Sequence, residues 1–522
     1  MPILQANNIS YQLENGDMLF QNISSSLTER KVGLVGRNGI GKSVLASLLS
    51  KELDPSHGSI TLNGKVSIFK QTSLERNNED LTIAHYLQVD NALHALEQVS
   101  LGSCDDKYFD LIGEQWNLQE TLTKQLFDLG LPENLFFPLH LLSGGQLARL
   151  QLWNLFKIES ELLILDEPSN HLDEEGTRWL IDQINHFNGY VLLISHDSQL
   201  LNNMDHIWEL TSLGLNEYGG NFDFYFQQRS LETQAVARQI KSIQHQQKNL
   251  LMQTQKNKEK AQQRASNGHK NRRNGSQPKV LLDAKRDSAT ASISNRLKNE
   301  KLRNKYLEIK SNELNAKNEL INTQKIYLQS NKPLGKSLVK IRKGVLPYGT
   351  KNKLDVCIND NTKLHLKGEN GSGKSTLLNV LLGKAILDDG EIQVNTSFYY
   401  LDQHFTLIYV QSSVLDNVLT LCPNVLETDA RVLLAGIGFR KDSVYRLVDH
   451  LSGGEKMKLA MLVVSHQERQ PLLLLDEPDN HLDIESKFLL AETLSSYNGA
   501  YILVSHDKSF VKKCGLTNEL KL

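Results

Sequence analysis

The chain has 522 residues with 58 basic and 60 acidic side chains, so several domains are expected and the net charge is only −2. No stretch reaches the ~18 apolar residues that a membrane span needs, and the N-terminus lacks a signal-peptide pattern, so we expect a cytoplasmic protein. Four scattered cysteines, Cys104, Cys357, Cys422 and Cys514, form no C-x-x-C pair, which argues against a disulfide framework or a zinc site.

The first motif along the chain is a phosphate-binding loop of the form G-x-x-x-x-G-K-[ST]. An apolar run typical of a buried strand precedes it, and a helical pattern of leucines follows it. Its glycines allow backbone N–H groups to curl around a polyphosphate, its lysine adds positive charge, and its serine hydroxyl suits Mg²⁺. The loop comprises Gly36, Arg37, Asn38, Gly39, Ile40, Gly41, Lys42 and Ser43.

A modest helical insertion is predicted over residues 81–139, with helical patterns around Ala84–Val99 and Trp116–Leu129. Directly after it, an LSGG motif precedes a second helical pattern. The serine of this motif, Ser143, and the backbone N–H groups of Gly144 and Gly145 predict an anion site at the helix N-terminus.

Two short, uniformly apolar runs then end in polar residues, which is typical of parallel strands with functional groups at their carboxyl ends. Asp166 and Glu167 follow the first run, and His196 follows the second. Asp166 is expected to hold Mg²⁺ through its water shell, and Glu167 to polarise the attacking water as the general base. His196 is expected to contact the γ-phosphate.

The middle of the chain differs from both ends in charge. Residues 228–335 contain 23 basic and 8 acidic side chains, a net charge of +15, whereas the remainder carries a net charge of −17. Two polar helical stretches, 227–269 and 293–328, flank a basic segment, Lys270–Lys279, which is predicted to be a loop. This pattern predicts an antiparallel helical hairpin that faces a polyanion, and a solvated charged spacer is the alternative.

All of the motifs recur near the C-terminus, so the chain is an internal repeat. The two loop lysines, Lys42 and Lys374, are 332 residues apart, as are Gln71 and Gln403. The predicted fold is α/β, with two cassettes (1–227 and 336–522) that have parallel-sheet cores, joined by the helical hairpin linker (228–335). The second set comprises Gly368, Glu369, Asn370, Gly371, Ser372, Gly373, Lys374, Ser375, Gln403, Ser452, Gly453, Gly454, Asp476, Glu477 and His506.

This ordered set resembles the ATP-binding cassette (ABC) superfamily, and the resemblance covers both ends of the chain. It implies an ATP hydrolase in which the two cassettes stack head to tail within one monomeric chain. Each ATP would lie between one P-loop and the LSGG signature of the opposite cassette. It also implies Ser43, Gln71 and Asp166 as Mg²⁺ ligands in one site, with Ser375, Gln403 and Asp476 in the other.

Several positions depart from the usual ABC pattern. Val44 replaces the usual threonine, and Glu455 replaces the usual glutamine of the signature. Tyr11 is well placed before the first P-loop to stack on adenine, whereas Lys343 stands at the matching position of the second cassette. Tyr348 is an alternative adenine contact there.

Two further stretches resemble the ABC-F family. The runs Glu167–Asp173 and Glu477–Asp483 resemble its E-P-T-N-H-L-D sequence, with Ser169 and Asp479 in place of threonine. Tyr218–Tyr225 resembles the family's entry to its interdomain linker. The resemblance implies a translation factor or antibiotic-resistance protein that binds the ribosome in its ATP-closed state. Its basic linker would contact rRNA and tRNA near the tRNA exit site and peptidyl-transferase centre.

Two other functions remain open at this point. One is a cytosolic ATPase pair that energises a separate membrane exporter, which would leave the basic hairpin without a role. The other is a DNA-associated ABC protein, in which the hairpin contacts duplex DNA. The absence of cysteine clusters argues against the iron–sulfur recycling ABC protein and the zinc-bearing excision-repair ATPase.

Overall fold

The structure, a computed structural model, comprises two compact units. One unit contains Met1–Phe222 and Thr323–Leu522, hence both cassettes, and the other contains Asp223–Asn322. Within the described residues, no helix combines the length and apolar character needed to cross a membrane. The structure describes residues 2–14, 16–70, 81–170, 172–273, 298–299, 301–312, 314, 337–369, 371–402, 405–466, 472–480 and 482–522.

The first cassette has a six-stranded sheet in the order β5-β6-β7-β3-β8-β9, parallel except for β9, and an antiparallel sheet in the order β2-β1-β4. Its strands are β1 (Leu4–Gln12), β2 (Met18–Leu27), β3 (Lys31–Gly36), β4 (His57–Leu62), β5 (Val66–Phe69), β6 (Leu162–Asp166), β7 (Tyr190–Ile194), β8 (His206–Thr211) and β9 (Gly214–Gly219). Its helices are α1 (Lys42–Leu49), α2 (Ile83–Tyr86), α3 (Asp90–Ser100), α4 (Asp106–Ile112), α5 (Leu118–Asp128), α6 (Gly144–Lys157), α7 (Glu174–His186) and α8 (Ser198–Leu201).

The predicted helical insertion corresponds to α2–α5. These helices enclose a small core of their own, which includes Ile83, Leu93, Leu122 and Leu126. The helical patterns predicted around Ala84–Val99 and Trp116–Leu129 coincide with α2, α3 and α5. The sequence prediction missed α4, because its seven residues are too few to show a clear period; the Asp105 side chain caps its N-terminus.

The second cassette repeats this architecture. A parallel sheet in the order β14-β15-β16-β12-β17 stands beside an antiparallel sheet in the order β11-β10-β13. Its strands are β10 (Ser337–Val345), β11 (Leu354–Asn359), β12 (Lys363–Lys367), β13 (Asp389–Val394), β14 (Phe398–Leu401), β15 (Leu472–Asp476), β16 (Tyr501–Val504) and β17 (Asn518–Lys521). Its helices are α11 (Lys374–Leu381), α12 (Val414–Leu421), α13 (Glu427–Gly436), α14 (Gly453–Ser465), α15 (Ile484–Ser496) and α16 (Lys508–Lys513).

Uniform burial explains why the central strands are so apolar. Every residue of β6 is buried, as are the four apolar residues of β15, because both faces of each sheet are covered. In each cassette one set of these residues shares a core with the antiparallel sheet and the helix after the P-loop. Asp166 lies at the carboxyl end of β6 and Asp476 at the carboxyl end of β15. In each sheet one strand, β7 or β16, separates this strand from the one that precedes the P-loop, β3 or β12.

The linker unit contains the 52-residue helix α9 (Phe222–Arg273), roughly 78 Å long at ~1.5 Å per residue, and the helix α10, described over residues 301–312. Ile243 and Leu250 of α9 form a small buried cluster with Leu307 and Leu314. The predicted loop start at Lys270 is wrong, since α9 continues through Arg273. One glycine, Gly268, costs only about 1 kcal/mol in a helix, too little to end it. Residues 274–297 lie outside the described residues.

The linker cluster can be tested at Leu307, which is 3% exposed. We expect Leu307→Ala to destabilise the pairing of the two linker helices by about 2 kcal/mol, because a buried leucine leaves a cavity. Hydrogen exchange of the α9 amides should accelerate, while exchange in the cassette sheets stays unchanged. Leu302→Ala is the matched control, since Leu302 is 60% exposed on the same helix. Equal protection of α9 in both variants would contradict the cluster's role.

Candidate functional site

The first P-loop wraps around its own lysine. Lys42 Nζ donates to the carbonyl oxygens of Gly36 at 2.9 Å and Arg37 at 3.2 Å. Gly41, which caps α1, has a φ of 97°, a left-handed conformation that glycine adopts without strain. Burial lowers the pKa of Lys42, and the nearby carboxylates of Glu167, Asp483 and Asp166 oppose that shift. The lysine is therefore a buried cation held at the N-terminus of a helix.

The two candidate general bases have the same unusual backbone. Glu167 and Glu477 both have a φ of 49°, which is uncommon for residues other than glycine and is often found at functional sites. Each backbone N–H donates at 2.9 Å to the last residue of the neighbouring strand, Ile194 or Val504. Burial raises the pKa of Glu167 to about 7, although the charge of Lys42 opposes the rise. These contacts orient both glutamates in the same way.

The candidate switch histidines lie beside these glutamates. His196 Nε2 is 3.4 Å from Glu167 Oε1 and 3.0 Å from Asn38 Oδ1. His506 Nε2 is 3.6 Å from Glu477 Oε1. The structure therefore brings together the glutamate and histidine that the sequence predicted for each cassette.

The candidate metal ligands also come together in the first cassette. The Ser43 hydroxyl hydrogen-bonds to the Asp166 carboxyl, so two oxygen donors of the kind that Mg²⁺ prefers are adjacent. Burial raises the pKa of Asp166, and this hydrogen bond opposes the rise. Among the described residues, no group of three or more His, Cys, Asp or Glu side chains is arranged to hold a metal by itself.

The second P-loop differs in its contacts. Lys374 Nζ donates to Gly368 O at 2.7 Å and to Glu369 O at 3.1 Å, and it also lies 3.4 Å from His506 Nε2. Burial lowers the pKa of His506, and the cation of Lys374 adds to this effect. The Tyr400 hydroxyl donates to Asp476 Oδ2 at 3.0 Å, whereas Asp166 in the first cassette is bonded by Ser43.

Both cassettes contribute to a cavity of about 560 Å³. The first cassette supplies its P-loop lysine and serine, Asp166, Glu167 and His196. The second supplies the segment after its acidic strand and the loop that carries His506. The second-cassette residues that line the cavity are Asp479, Asn480, Leu482, Lys487, His506 and Asp507.

Neither LSGG signature is part of this lining, so the pairing of each P-loop with the opposite signature stays a prediction. The signature serines, Ser143 and Ser452, instead cap helices α6 and α14 through capping boxes. Burial lowers the pKa of Lys458 on α14, and the negative charge of Asp483 opposes that shift. Glu455 fills the same capping role as Gln146 in the first cassette.

Sequence reasoning missed the contacts that hold the first P-loop to the second cassette. Arg37 Nε and one of its terminal nitrogens are each 2.8 Å from Glu485 Oε2. Asn38 N donates to Asp483 Oδ2 at 3.3 Å. Asp483 is the last residue of the repeated E-P-x-N-H-L-D run and caps α15, and Glu485 lies in the first turn of that helix. Their position in and next to a motif is the signal that was available in the sequence.

The candidate adenine contacts are placed differently in the two cassettes. Tyr11 packs against Phe20 with the ring centroids 6.4 Å apart, and Leu13 and Leu19 line the cavity instead. Tyr348, by contrast, is 77% exposed next to Gly349, whose neighbour Thr350 donates its N–H to Ser372 O at 3.0 Å. Three predicted site residues, Gln71, Asn370 and Gln403, lie outside the described residues.

Comparison with known proteins agrees with this geometry. The family model described as ABC transporter matches residues 20–170 and 351–480, one match in each cassette. The chain belongs to the ABC family. It is 30% identical over 524 residues to the probable ATP-binding protein YheS of Escherichia coli K12, covering 96% of this chain and 76% of that protein.

A second relative covers almost the whole chain. The ribosome protection protein VmlR of Bacillus subtilis is 27% identical over 534 residues, covering 98% of this chain and 85% of that protein. A crystal structure of archaeal ribosome recycling factor aABCE1 in complex with ribosomal stalk protein aP1 has the same fold, with a TM-score of 0.54 and 17% identity. That match covers 97% of this chain and 86% of the other. These relatives and the tandem cassettes identify an ABC-F ATPase, which hydrolyses ATP.

The close packing of the Tyr348 loop of this ABC-F protein against the second P-loop can be tested by substitution of Gly349. A Cβ at Gly349 would lie 2.4 Å from Ser372 O in the second P-loop, and the residue has a φ of 97°. We expect Gly349→Ala to lower the free energy of unfolding of the second cassette by more than the ~1 kcal/mol that a left-handed conformation costs a residue with a Cβ. The unfolding temperature should fall accordingly. Gly383→Ala is the matched control, with a φ of 73° and no atom within 4 Å of the added carbon. Equal unfolding temperatures would refute the predicted clash.

Proposed function

We propose that this ABC-F ATPase binds Mg²⁺–ATP at both cassettes and binds the ribosome in its ATP-closed state, where it modulates translation or displaces a bound antibiotic. The observation that carries the proposal is the pair of cassettes with matching glutamate and histidine geometry, joined by a basic linker built on a 52-residue helix. The similarity to a ribosome protection protein over 98% of the chain supports it.

In the proposed reaction, Glu167 and Glu477 orient and deprotonate the attacking water, and His196 and His506 contact the γ-phosphate. The buried lysines, Lys42 and Lys374, turn from their loop carbonyls to the β- and γ-phosphates. Ser43 and Asp166 would hold Mg²⁺ in the first site, and Ser375 and Asp476 in the second. The metal would neutralise charge that develops on the phosphates.

The remaining site residues have supporting roles in the proposal. The backbone N–H groups of both P-loops would cradle the phosphates, and Tyr11 or Tyr348 would contact adenine. The signature residues Ser143, Gly144 and Gly145 would complete the second site, and Ser452, Gly453 and Gly454 the first. Gln71 and Gln403 would complete the metal ligand sets.

The linker supplies the proposed contact with nucleic acid. Its net charge of +15 favours a polyanionic partner, and its helix α9 has 52 residues. We propose that it contacts rRNA and tRNA near the tRNA exit site, pointing toward the peptidyl-transferase centre. The proposed domain boundaries, 1–227, 228–335 and 336–522, assign this role to the middle segment.

Co-sedimentation with ribosomes, with and without ATP, is the deciding experiment. Binding to ribosomes that increases with ATP is the expected result. Binding to duplex DNA instead, or no nucleic-acid binding together with capture by membrane vesicles, would replace the proposal with a DNA-associated ATPase or an exporter subunit.

The catalytic roles predict the behaviour of a double variant. Glu167→Gln with Glu477→Gln should lower turnover by roughly 10²–10⁴-fold while ATP still binds, because a positioned base is lost but the phosphate contacts remain. Steady-state ATPase rates and nucleotide binding measure this. The same variant should remain bound to ribosomes in ATP. Near-normal hydrolysis would remove both glutamates from the mechanism.

The basic segment Lys270–Lys279 gives a separate prediction. Replacing Lys270, Arg272, Arg273 and Lys279 by Gln should weaken ATP-dependent ribosome binding and lower its salt dependence, since phosphate contacts act through counterion release. ATPase activity without ribosomes should be unchanged.

The matched control removes the same number of charges from exposed lysines along the α9 stem, with Gln at Lys248, Lys256, Lys258 and Lys260. We expect a smaller loss of ribosome binding in this control. If the two sets lose binding equally, the contact depends on overall charge and not on the segment Lys270–Lys279. Unchanged affinity and salt dependence in the first set would exclude that segment as an RNA contact.

A further inference from the structure

Lys487 of the second cassette links the two histidine loops. It lies in the first turn of α15, its side chain is only 15% exposed, and it lines the shared cavity. Its Nζ donates to the backbone carbonyl oxygen of His196 in the first cassette at 3.2 Å. It also lies 3.2 Å from Asp507 Oδ2, in the histidine loop of its own cassette.

Asp507 is a rigid anchor for this lysine. Its Oδ1 accepts hydrogen bonds from the backbone N–H groups of Ser509 and Phe510, which caps α16, and its Oδ2 is thereby directed at Lys487. The capped helix also meets the first cassette, because Ser198 Oγ donates to Ser509 Oγ at 2.9 Å. Lys487 therefore bridges the His196 loop and the His506 loop. The helices that follow these loops, α8 and α16, are already joined by the hydrogen bond between Ser198 and Ser509.

Two further carboxylates act on the same cation. Asp479 is 3% exposed and accepts a hydrogen bond from Ser505 Oγ at 2.9 Å, and Asp197 caps α8 in the first cassette. The charges of Asp507, Asp479 and Asp197 all favour the protonated form of Lys487 and hold its pKa above the usual value despite burial. A buried ammonium group with three acidic neighbours stays charged and keeps a fixed position.

The sequence does not repeat the Asp479–Lys487 pair in the first cassette. At the positions of the first cassette that correspond to Asp479 and Lys487, 310 residues earlier, the chain has Ser169 and Thr177. Neither residue carries a charge. The histidine loop of the first cassette thus receives a cationic hydrogen bond from the opposite cassette, and the symmetry-related lysine is missing from the sequence.

From these contacts we infer that Lys487 is a positioning residue that acts across the cassettes, holding the His196 loop for ATP hydrolysis at the first site. Because His196 Nε2 lies 3.4 Å from Glu167 Oε1, fixing its carbonyl oxygen fixes the histidine–glutamate pair. First-site hydrolysis then depends on the docked position of α15. At the second site Lys487 contacts the histidine loop through the Asp507 side chain, which the backbone N–H groups of Ser509 and Phe510 already hold. The inference rests on the roles proposed above for Glu167 and His196.

Single-site backgrounds test this inference without ribosomes. Glu477→Gln leaves the first site to hydrolyse ATP, and Glu167→Gln leaves the second; hydrolysis is measured in single-turnover and steady-state assays. Lys487→Met should lower first-site kcat by roughly 10- to 100-fold with little change in KM, because small displacements of a catalytic group have effects of this size. Second-site kcat should change less than about twofold. Lys487→Arg, which keeps the cation, should restore most of the first-site rate.

Removing Lys487 alone leaves buried carboxyl groups without their cation and can misfold the protein. A second variant therefore removes a carboxyl group together with the lysine. Asp479→Ser with Lys487→Thr removes a carboxyl group and an ammonium group together and copies the residues of the first cassette, Ser169 and Thr177. It should show the same selective loss at the first site. Lys508→Gln is the matched control, since Lys508 forms a largely exposed ion pair with Glu174 across the same contact, and it should leave both rates nearly unchanged.

Several outcomes would overturn the inference. Equal losses in both backgrounds would indicate a purely structural lysine, and an unchanged first-site rate in the double variant would show that the contact is dispensable. A Glu477→Gln background without single-turnover hydrolysis would also reject it, because there would be no first-site reaction to support. Failure of ribosome binding would leave the inference untouched, since these assays contain no ribosomes.

Discussion

The structure depends on the burial of ionisable groups at the carboxyl edges of two parallel sheets. Such an edge is where a parallel sheet presents functional side chains, and each cassette covers part of the other's edge. A buried charge is tolerated only when it has partners, so each lysine at this contact has hydrogen-bond acceptors and carboxylates nearby. Lys42 and Lys374 rest on loop carbonyls, and Lys487 bridges the cassettes.

The two cassettes provide different hydrogen-bond partners for the buried aspartate at the end of the acidic strand. The Asp166 carboxyl is bonded by Ser43, while Asp476 accepts a hydrogen bond from Tyr400, whose counterpart in the first cassette is Ile68. In the two signature helices, by contrast, different residues have the same capping role. Glu455 and Gln146 both complete capping boxes, so the exchange of glutamine for glutamate leaves the helix N-terminus intact.

The linker has a much smaller apolar core than the cassettes. Its small apolar cluster of Ile243, Leu250, Leu307 and Leu314 is the only buried apolar cluster within the described part of that unit. Other large apolar side chains of the unit, such as Leu231, Leu251 and Met252, are exposed. A long helix with so little core owes its order to local propensity and to a few packed leucines. The continuation of α9 through Gly268 shows how weakly a single glycine acts against that propensity.

The sequence by itself determined the α/β cassettes and the repeat, and it predicted the glutamate and histidine that the structure brings together in each cassette. Glycine spacing, uniformly apolar strands and acidic strand ends are local patterns, and each follows from the backbone geometry that its element requires. The left-handed φ of Glu167 and Glu477 was not visible in them. The contacts of Arg37 with Glu485 and of Lys487 with His196 join residues 448 and 291 positions apart. Only the tertiary structure decides such pairs, because periodicity records which face an element buries and not which distant side chain it meets.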